Sequence, residues 1–300
     1  MPTSDMLWPS TAAGITSRIV TLASGLRARV VEAAPTDGVE RGAPVVLAHG
    51  WACTAFAWRR QVPVLAAAGR RVVAFDLKGH GFSDKPPLVA EYSAAAMTRF
   101  TLDVMDAVGI ERAALVGHSM GGAVATSVAL TEPARVERLA LLSPVGFGEV
   151  MGLRLGQWLS PELAVPLLPT LGRVAMAAPS WALATSFHLV WGGGPVTLTA
   201  EDVDEYRAPT QFAEYVPALR HLVHAFRWVP YAEEQLARLA CPVLVLFGTR
   251  DRVVAPRRAR DLVRLVPNGT LELVPGAGHM VQEERADEVN AALLRFLEAQ

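Results

Sequence analysis

Apolar residues follow two rhythms along this chain. Pro44-Val45-Val46-Leu47-Ala48 and Arg71-Val72-Val73-Ala74-Phe75 are unbroken apolar runs, as expected of strands covered on both faces. Helix-compatible stretches at roughly 55 to 68, 92 to 108 and 119 to 131 alternate with them, and Ala113 to Val116 and Val136 to Leu142 supply two more strands. Ahead of these, Arg18 to Leu22 and Leu26 to Val31 are rich in β-formers on either side of Ala23-Ser24-Gly25, which predicts an antiparallel hairpin at a sheet edge. The alternation stops after Ser143-Pro144 and resumes with Pro242 to Phe247, a helix near 256 to 265, Thr270 to Val274, and an amphipathic helix from Val281 to Leu297. Between them, Gly146 to Pro230 holds apolar, helical pieces broken by prolines and no clear buried strand. The expected fold is α/β, a mostly parallel central sheet with helices on both faces, built from residues 1–145 and 231–300 with 146–230 inserted.

One segment carries a chemical signal. Ala113 to Val116 leads into Gly117-His118-Ser119-Met120-Gly121, and a small-residue helix follows. Strand, tight turn and helix place Ser119 at an apex. A side chain at 117 or 121 would collide with the neighbouring strand and helix once the turn tightened, so glycine fits both positions. The N-terminus of the following helix can favour negative charge developing beside the hydroxyl.

Composition narrows the field. The 300 residues are 51% apolar with a formal net charge of −1, which gives no electrostatic reason to expect nucleic acid as a partner. Lys78 and Lys85 are the only lysines, and the arginines are scattered. Cys53 and Cys241 form neither a disulfide framework nor a metal-ligand spacing and are expected as reduced thiols. No basic start followed by an apolar run opens the chain, and no apolar run approaches the ~20 residues of a spanning helix. A cytoplasmic protein without stable membrane insertion is expected. Gly192-Gly193-Gly194 lacks the strand and helix that a phosphate loop requires, and no cofactor or metal site is expected. The sequence carries no signal for an oligomeric state.

Around Ser119 the sequence resembles the α/β-hydrolase family, in its serine-nucleophile, esterase- and lipase-like branch. The resemblance extends from about Arg18 to Leu297. It implies the order nucleophile, acid, base along the chain. His279, in Gly276-Ala277-Gly278-His279-Met280, is the histidine beyond the last strand-like runs and takes the place of the base. Asp251, in the turn Gly248 to Val254 directly after a strand, takes the place of the acid, since Ser143 to Phe147 offers no carboxylate after the preceding strand. His49-Gly50-Trp51 resembles the family's oxyanion turn, which makes the backbone N–H groups of Trp51 and Met120 the expected donors to an oxyanion. His49 is expected to brace this loop. Asp76 to Asp84 resembles a turn that shapes the fold without touching substrate, and Ser83 lacks the context of a nucleophile.

The same resemblance makes residues 146–230 a helical cap, or lid. Its many large apolar side chains, Phe147 and Trp158 among them, exceed what a short helical piece hides internally. With Trp51, His118 and Met280 they are the candidate pocket residues, and Trp58 is placed with Trp51 on the opposite wall. A cap face meeting a lipid surface is a further expectation. His221, His224 and Arg227 share one helical face and read as solvent-facing. The function expected is a serine hydrolase cleaving a small apolar carboxylic ester through an acyl-enzyme intermediate. Carbon-carbon bond hydrolase, lactonase or thioesterase chemistry on the same three residues is the alternative, and a ligand-binding protein with an idle triad is the reading from another class. Serine at 119 argues against the haloalkane dehalogenase and epoxide hydrolase branches, which use aspartate as nucleophile.

Overall fold

Alternate residues of each apolar run face two different cores, which is why the runs are unbroken. The computed structural model describes residues 8–9, 14–150, 199–226 and 229–299. In β3 (Val45–Ala48), Val46 and Ala48 join one core while Val45 and Leu47 join the other. β4 (Val72–Phe75), β5 (Ala113–His118) and β8 (Val243–Gly248) divide in the same way. The first core is closed by α2 (Ala94–Ala107) and α3 (Met120–Thr131). The second is closed by α1 (Val62–Ala67) and α9 (Ala286–Glu298) on the opposite face. Each fully buried Val or Leu contributes roughly 1.5–3 kcal/mol, so a sheet covered twice is the favoured use of these runs.

The sheet has eight strands in the order β1-β2-β4-β3-β5-β6-β8-β10. β1 (Ile15–Thr21) and β2 (Arg27–Ala33) form the antiparallel edge hairpin that the sequence predicts, and β2 also meets β4 antiparallel. All other pairings, including those of β6 (Val136–Leu142) and β10 (Gly269–Val274), are parallel. From β3 the chain goes to β4 on one side, and then to β5 on the other. Strand order therefore reverses between β3 and β5, and a ligand crevice is expected at the carboxyl ends of those two strands.

Elsewhere the elements depart from the sequence reading. The stretch at 55 to 68 is two pieces, a 3-10 turn Ala55–Trp58 capped by Thr54, then α1. The helix expected from 281 to 297 is broken at Arg285 into α8 (Val281–Glu284) and α9, without Pro or Gly at the break. A two-residue strand, β7 (Glu149–Val150), pairs antiparallel with β9 (Val254–Ala255); it is too short to leave a pattern in the sequence. Within 146–230, α4 (Ala200–Arg207) and α5 (Tyr215–Ala225) are described, and the short α6 (Glu233–Leu236) and α7 (Ala259–Val263) follow. Trp158, Gly192-Gly193-Gly194 and Arg227 lie outside the described residues. No helix among the described residues is long and apolar enough to cross a membrane.

Two buried charge clusters tie the turns together. Asp76, fully buried at the end of β4, accepts from the Ala55 and Phe82 amides at 2.8 Å each and pairs with buried Arg29 at 3.6 Å. The Asp76 to Asp84 turn thus shapes the fold, and the Ser83 hydroxyl is committed to the Asp76 carbonyl. Asp76→Ala leaves a buried guanidinium unpaired and is expected to cost about 3–5 kcal/mol, measured as the loss in unfolding free energy in a urea titration. In the second cluster Arg59 bridges Asp202 of α4 (3.0 Å) and Glu283 of α8 (3.2 Å), and the Tyr206 hydroxyl bonds Glu283. Burial pushes the Glu283 carboxyl above the usual carboxylate range, and the Arg59 charge opposes that shift.

Candidate active site

Ser119 sits at the switch point. It follows β5 and precedes α3 with φ of +53° and ψ of −117°, a conformation an L-residue adopts at a cost of about 1–3 kcal/mol. Four hydrogen bonds hold it there. Its amide donates to Leu142 O, and its carbonyl accepts from the amides of Gly122, Ala123 and Val145. The flanking glycines are required by close approach. A Cβ at Gly117 would collide with the backbone of Gly121 and Gly122, and one at Gly121 with the carbonyls of Ala48 and His49.

His279 Nε2 lies 3.0 Å from Ser119 Oγ and His279 Nδ1 lies 2.9 Å from Asp251 Oδ2. A carboxylate facing Nδ1 fixes the tautomer through its partners. Nδ1–H donates to Asp251, and bare Nε2 accepts from the serine hydroxyl. The other oxygen of Asp251 accepts from the Val253 and Val254 amides, both at 2.8 Å. All three side chains come from turns at the carboxyl ends of strands or just beyond them, and all three residues are buried.

The turn after β3 stands opposite. His49 Nε2 accepts from the Leu77 amide at 2.9 Å, so Nδ1–H donates to Gly50 O at 2.7 Å. Burial lowers the His49 pKa, and the neutral ring braces the loop as the sequence reading holds. Ala52 has φ of +60°. Neither the Trp51 N–H nor the Met120 N–H has a hydrogen-bond acceptor among the described residues.

The candidate pocket residues fare differently. Trp51 is 37% exposed, and its indole N–H donates to Leu219 O of α5 at 3.4 Å. Trp58 is a correction: it is fully buried in the core that α1 and α9 cover, because the 3-10 turn rotates it under the sheet. Phe147 is fully buried in the other core with its ring 6.2 Å from that of Tyr231. Met280 is buried against Cys53 and Ala57. His118 is buried with its ring 4.9 Å from that of His279, and its Nε2 bonds the His279 carbonyl at 3.0 Å. Trp158 lies outside the described residues.

Arg59, Asp202, Tyr206 and Glu283 were not legible as a cluster, since only the folded chain brings them together. His221 and His224 do not simply face solvent: they line a groove of about 480 Å³ with Val89, Val216 and Arg220, and the His221 ring lies 5.5 Å from that of Tyr92.

Comparisons with known proteins agree with the fold. Residues 43–286 match a family described as alpha/beta hydrolase fold. Epoxide hydrolase A of Mycobacterium tuberculosis is 31% identical over 310 residues, covering 91% of this chain and 95% of that protein. An AB hydrolase superfamily protein of Bacillus subtilis is 29% identical over 268 residues, covering 88% and 93%. Among solved structures, a probable hydrolytic enzyme of Pseudomonas aeruginosa PAO1 superposes with a TM-score of 0.75 at 25% identity, covering 96% of this chain and 95% of that one.

Proposed function

The chain belongs to the α/β-hydrolase fold family, and from that premise we propose that it is a serine hydrolase cleaving a carboxylic ester with an apolar acyl or alcohol group. The observation that carries this reading is the unbroken relay from Ser119 Oγ through His279 to Asp251, at 3.0 and 2.9 Å. Ser119 attacks the carbonyl carbon while His279 Nε2 takes its proton. Asp251 holds the imidazole in the required tautomer and stabilises the imidazolium that forms. The two amides without acceptors among the described residues, Trp51 N–H and Met120 N–H, bind the oxyanion, the second aided by the start of α3. The tetrahedral intermediate collapses when His279 returns the proton to the departing alcohol. Water then attacks the acyl-enzyme through the same base, releasing the acid and Ser119.

A hydroxyl at the elbow separates this chain from an aspartate-nucleophile epoxide hydrolase, despite the likeness to a relative of that name. Residues 146–230 serve as the helical cap. In its described part, α5 and the turn before it pack over the turns after β3 and β4: the Tyr215 hydroxyl donates to Ala52 O at 3.3 Å, and the Phe82 and Phe212 rings meet at 5.4 Å.

A series of p-nitrophenyl esters of increasing acyl length, run beside a dienone acid, tests the reading. Burial of each added methylene is worth about 0.8 kcal/mol. The kcat/KM value is expected to rise about fourfold per methylene until the pocket is filled. A flat series would overturn the apolar pocket, and turnover of the dienone acid above that of the best ester would replace ester cleavage by carbon-carbon bond hydrolysis.

A further inference from the structure

A base that gains and loses a proton in every cycle has to keep its place while its ring charge changes, and the main chain of His279 is held for this on both sides. The Gly278 and Met280 amides, one before and one after the histidine, donate to Oε2 and Oε1 of the same carboxylate, Glu284, at 2.7 and 3.1 Å. The carbonyl of His279 itself accepts from His118 Nε2 at 3.0 Å. The two peptide units 277–278 and 279–280 are thus tied to the end of α8, and the second is tied to the nucleophile elbow as well. We propose that His118 and Glu284 are positioning residues that clamp the backbone of His279 and thereby set the reach of its imidazole between Ser119 and Asp251, an inference that rests on the serine-hydrolase reading.

The chemistry of His118 argues for this role over simple packing. A carbonyl can only accept, so Nε2 carries the proton and Nδ1 is a bare acceptor. Nδ1 is buried without a partner among the described residues, which is a cost that an apolar side chain of similar size would avoid. The ring is also wedged in place, since a Cβ on Gly50 would lie 2.7 Å from Nδ1 and 3.1 Å from Ser119 Cβ. What histidine supplies there is the single N–H that reaches the base. Burial, and next the neighbouring His279, hold its pKa well below the usual imidazole range. The ring therefore stays neutral beside the imidazolium and does not compete for Asp251.

Glu284 reaches these amides from the last position of α8, one turn beyond Met280, and Arg285 takes non-helical dihedrals (φ −138°, ψ 55°) before α9 begins.

The test compares His118→Leu, which fills the space without a donor, with His118→Gln, whose amide nitrogen stands close to the place of Nε2. On p-nitrophenyl butyrate the Leu variant is expected to lose about 10- to 100-fold in kcat with little change in KM, as misplacement of a reacting group by about 1 Å does. The Gln variant should stay within about threefold of the parent, and Glu284→Gln, which keeps one acceptor oxygen, should fall between the two. Equal rates for the Leu and Gln variants, whether parental or impaired, would overturn the clamp. If the Leu variant does not fold, His118→Gln decides: parental kcat supports the clamp, and a loss of about tenfold or more refutes it. The imidazole 15N signals of His118 in the parent protein give a readout independent of turnover. Protonated Nε2 with bare Nδ1 between about pH 5 and 8 supports the assignment, and the opposite tautomer or a protonated ring refutes it. A parent that turned over no ester would remove the hydrolase reading alone, leaving the 15N readout to judge the hydrogen bond.

Discussion

Ser119→Ala is expected to lower kcat on a p-nitrophenyl ester by about four orders of magnitude or more, with the fold intact. Among the described residues the Oγ removed is the only atom that bonds His279 Nε2, and neither Ser83 nor Cys53 is placed to substitute. Ser83 is buried with its hydroxyl given to the Asp76 carbonyl. Cys53 is buried too, and burial raises its thiol pKa, so it carries no thiolate at neutral pH. The loss should fall in kcat with little change in KM, because the contacts that bind substrate are untouched. Alanine keeps the Cβ and with it the positive-φ strain of Ser119, so the change in stability is that of one lost side-chain hydrogen bond, about 0.5–1.5 kcal/mol, leaving thermal stability near that of the parent. Steady-state kinetics with a melting curve check both halves.

Asp251→Asn is expected to be nearly as severe, about 10⁴-fold in kcat, and for a reason specific to this turn. The Val253 and Val254 amides both donate to Oδ1, so a carboxamide must present its oxygen to them. Its NH2 group then faces His279 Nδ1, where Asp251 Oδ2 now lies 2.9 Å away. A donor there requires bare Nδ1, which moves the ring proton to Nε2 and aims it at Ser119. The base would be in the wrong tautomer although every heavy atom kept its place. Kinetics with a melting curve separate this from misfolding: activity is lost while Tm moves only by about a few degrees.

What the sequence made legible followed from local rules. Val45 to Ala48 and Val243 to Phe247 read as strands because coverage on both faces removes polar residues from the run. Ser119, Asp251 and His279 could be named because each lies in a turn just after a strand or strand-like run, and their order along the chain is itself a constraint. The side chains facing them were harder to read. Trp58 follows Trp51 by seven positions, and which way it points depends on the 3-10 turn at Ala55–Trp58, whose tight pitch no apolar period announces. Arg285 is a helix-compatible residue with neither Pro nor Gly beside it, so the break there leaves no local mark in the sequence. The Arg59, Asp202, Tyr206 and Glu283 cluster joins residues from three separate elements. Each alone reads as an ordinary surface charge or tyrosine, and burial gives them meaning only after folding.

The hydrolase account stands on one covalent event, and intact-mass and peptide-mapping spectrometry after treatment with a fluorophosphonate reads it directly. The account predicts one phosphonyl adduct per chain, located on Ser119 and absent from Ser119→Ala. An adduct on another residue, or labelling that persists in Ser119→Ala, would contradict it.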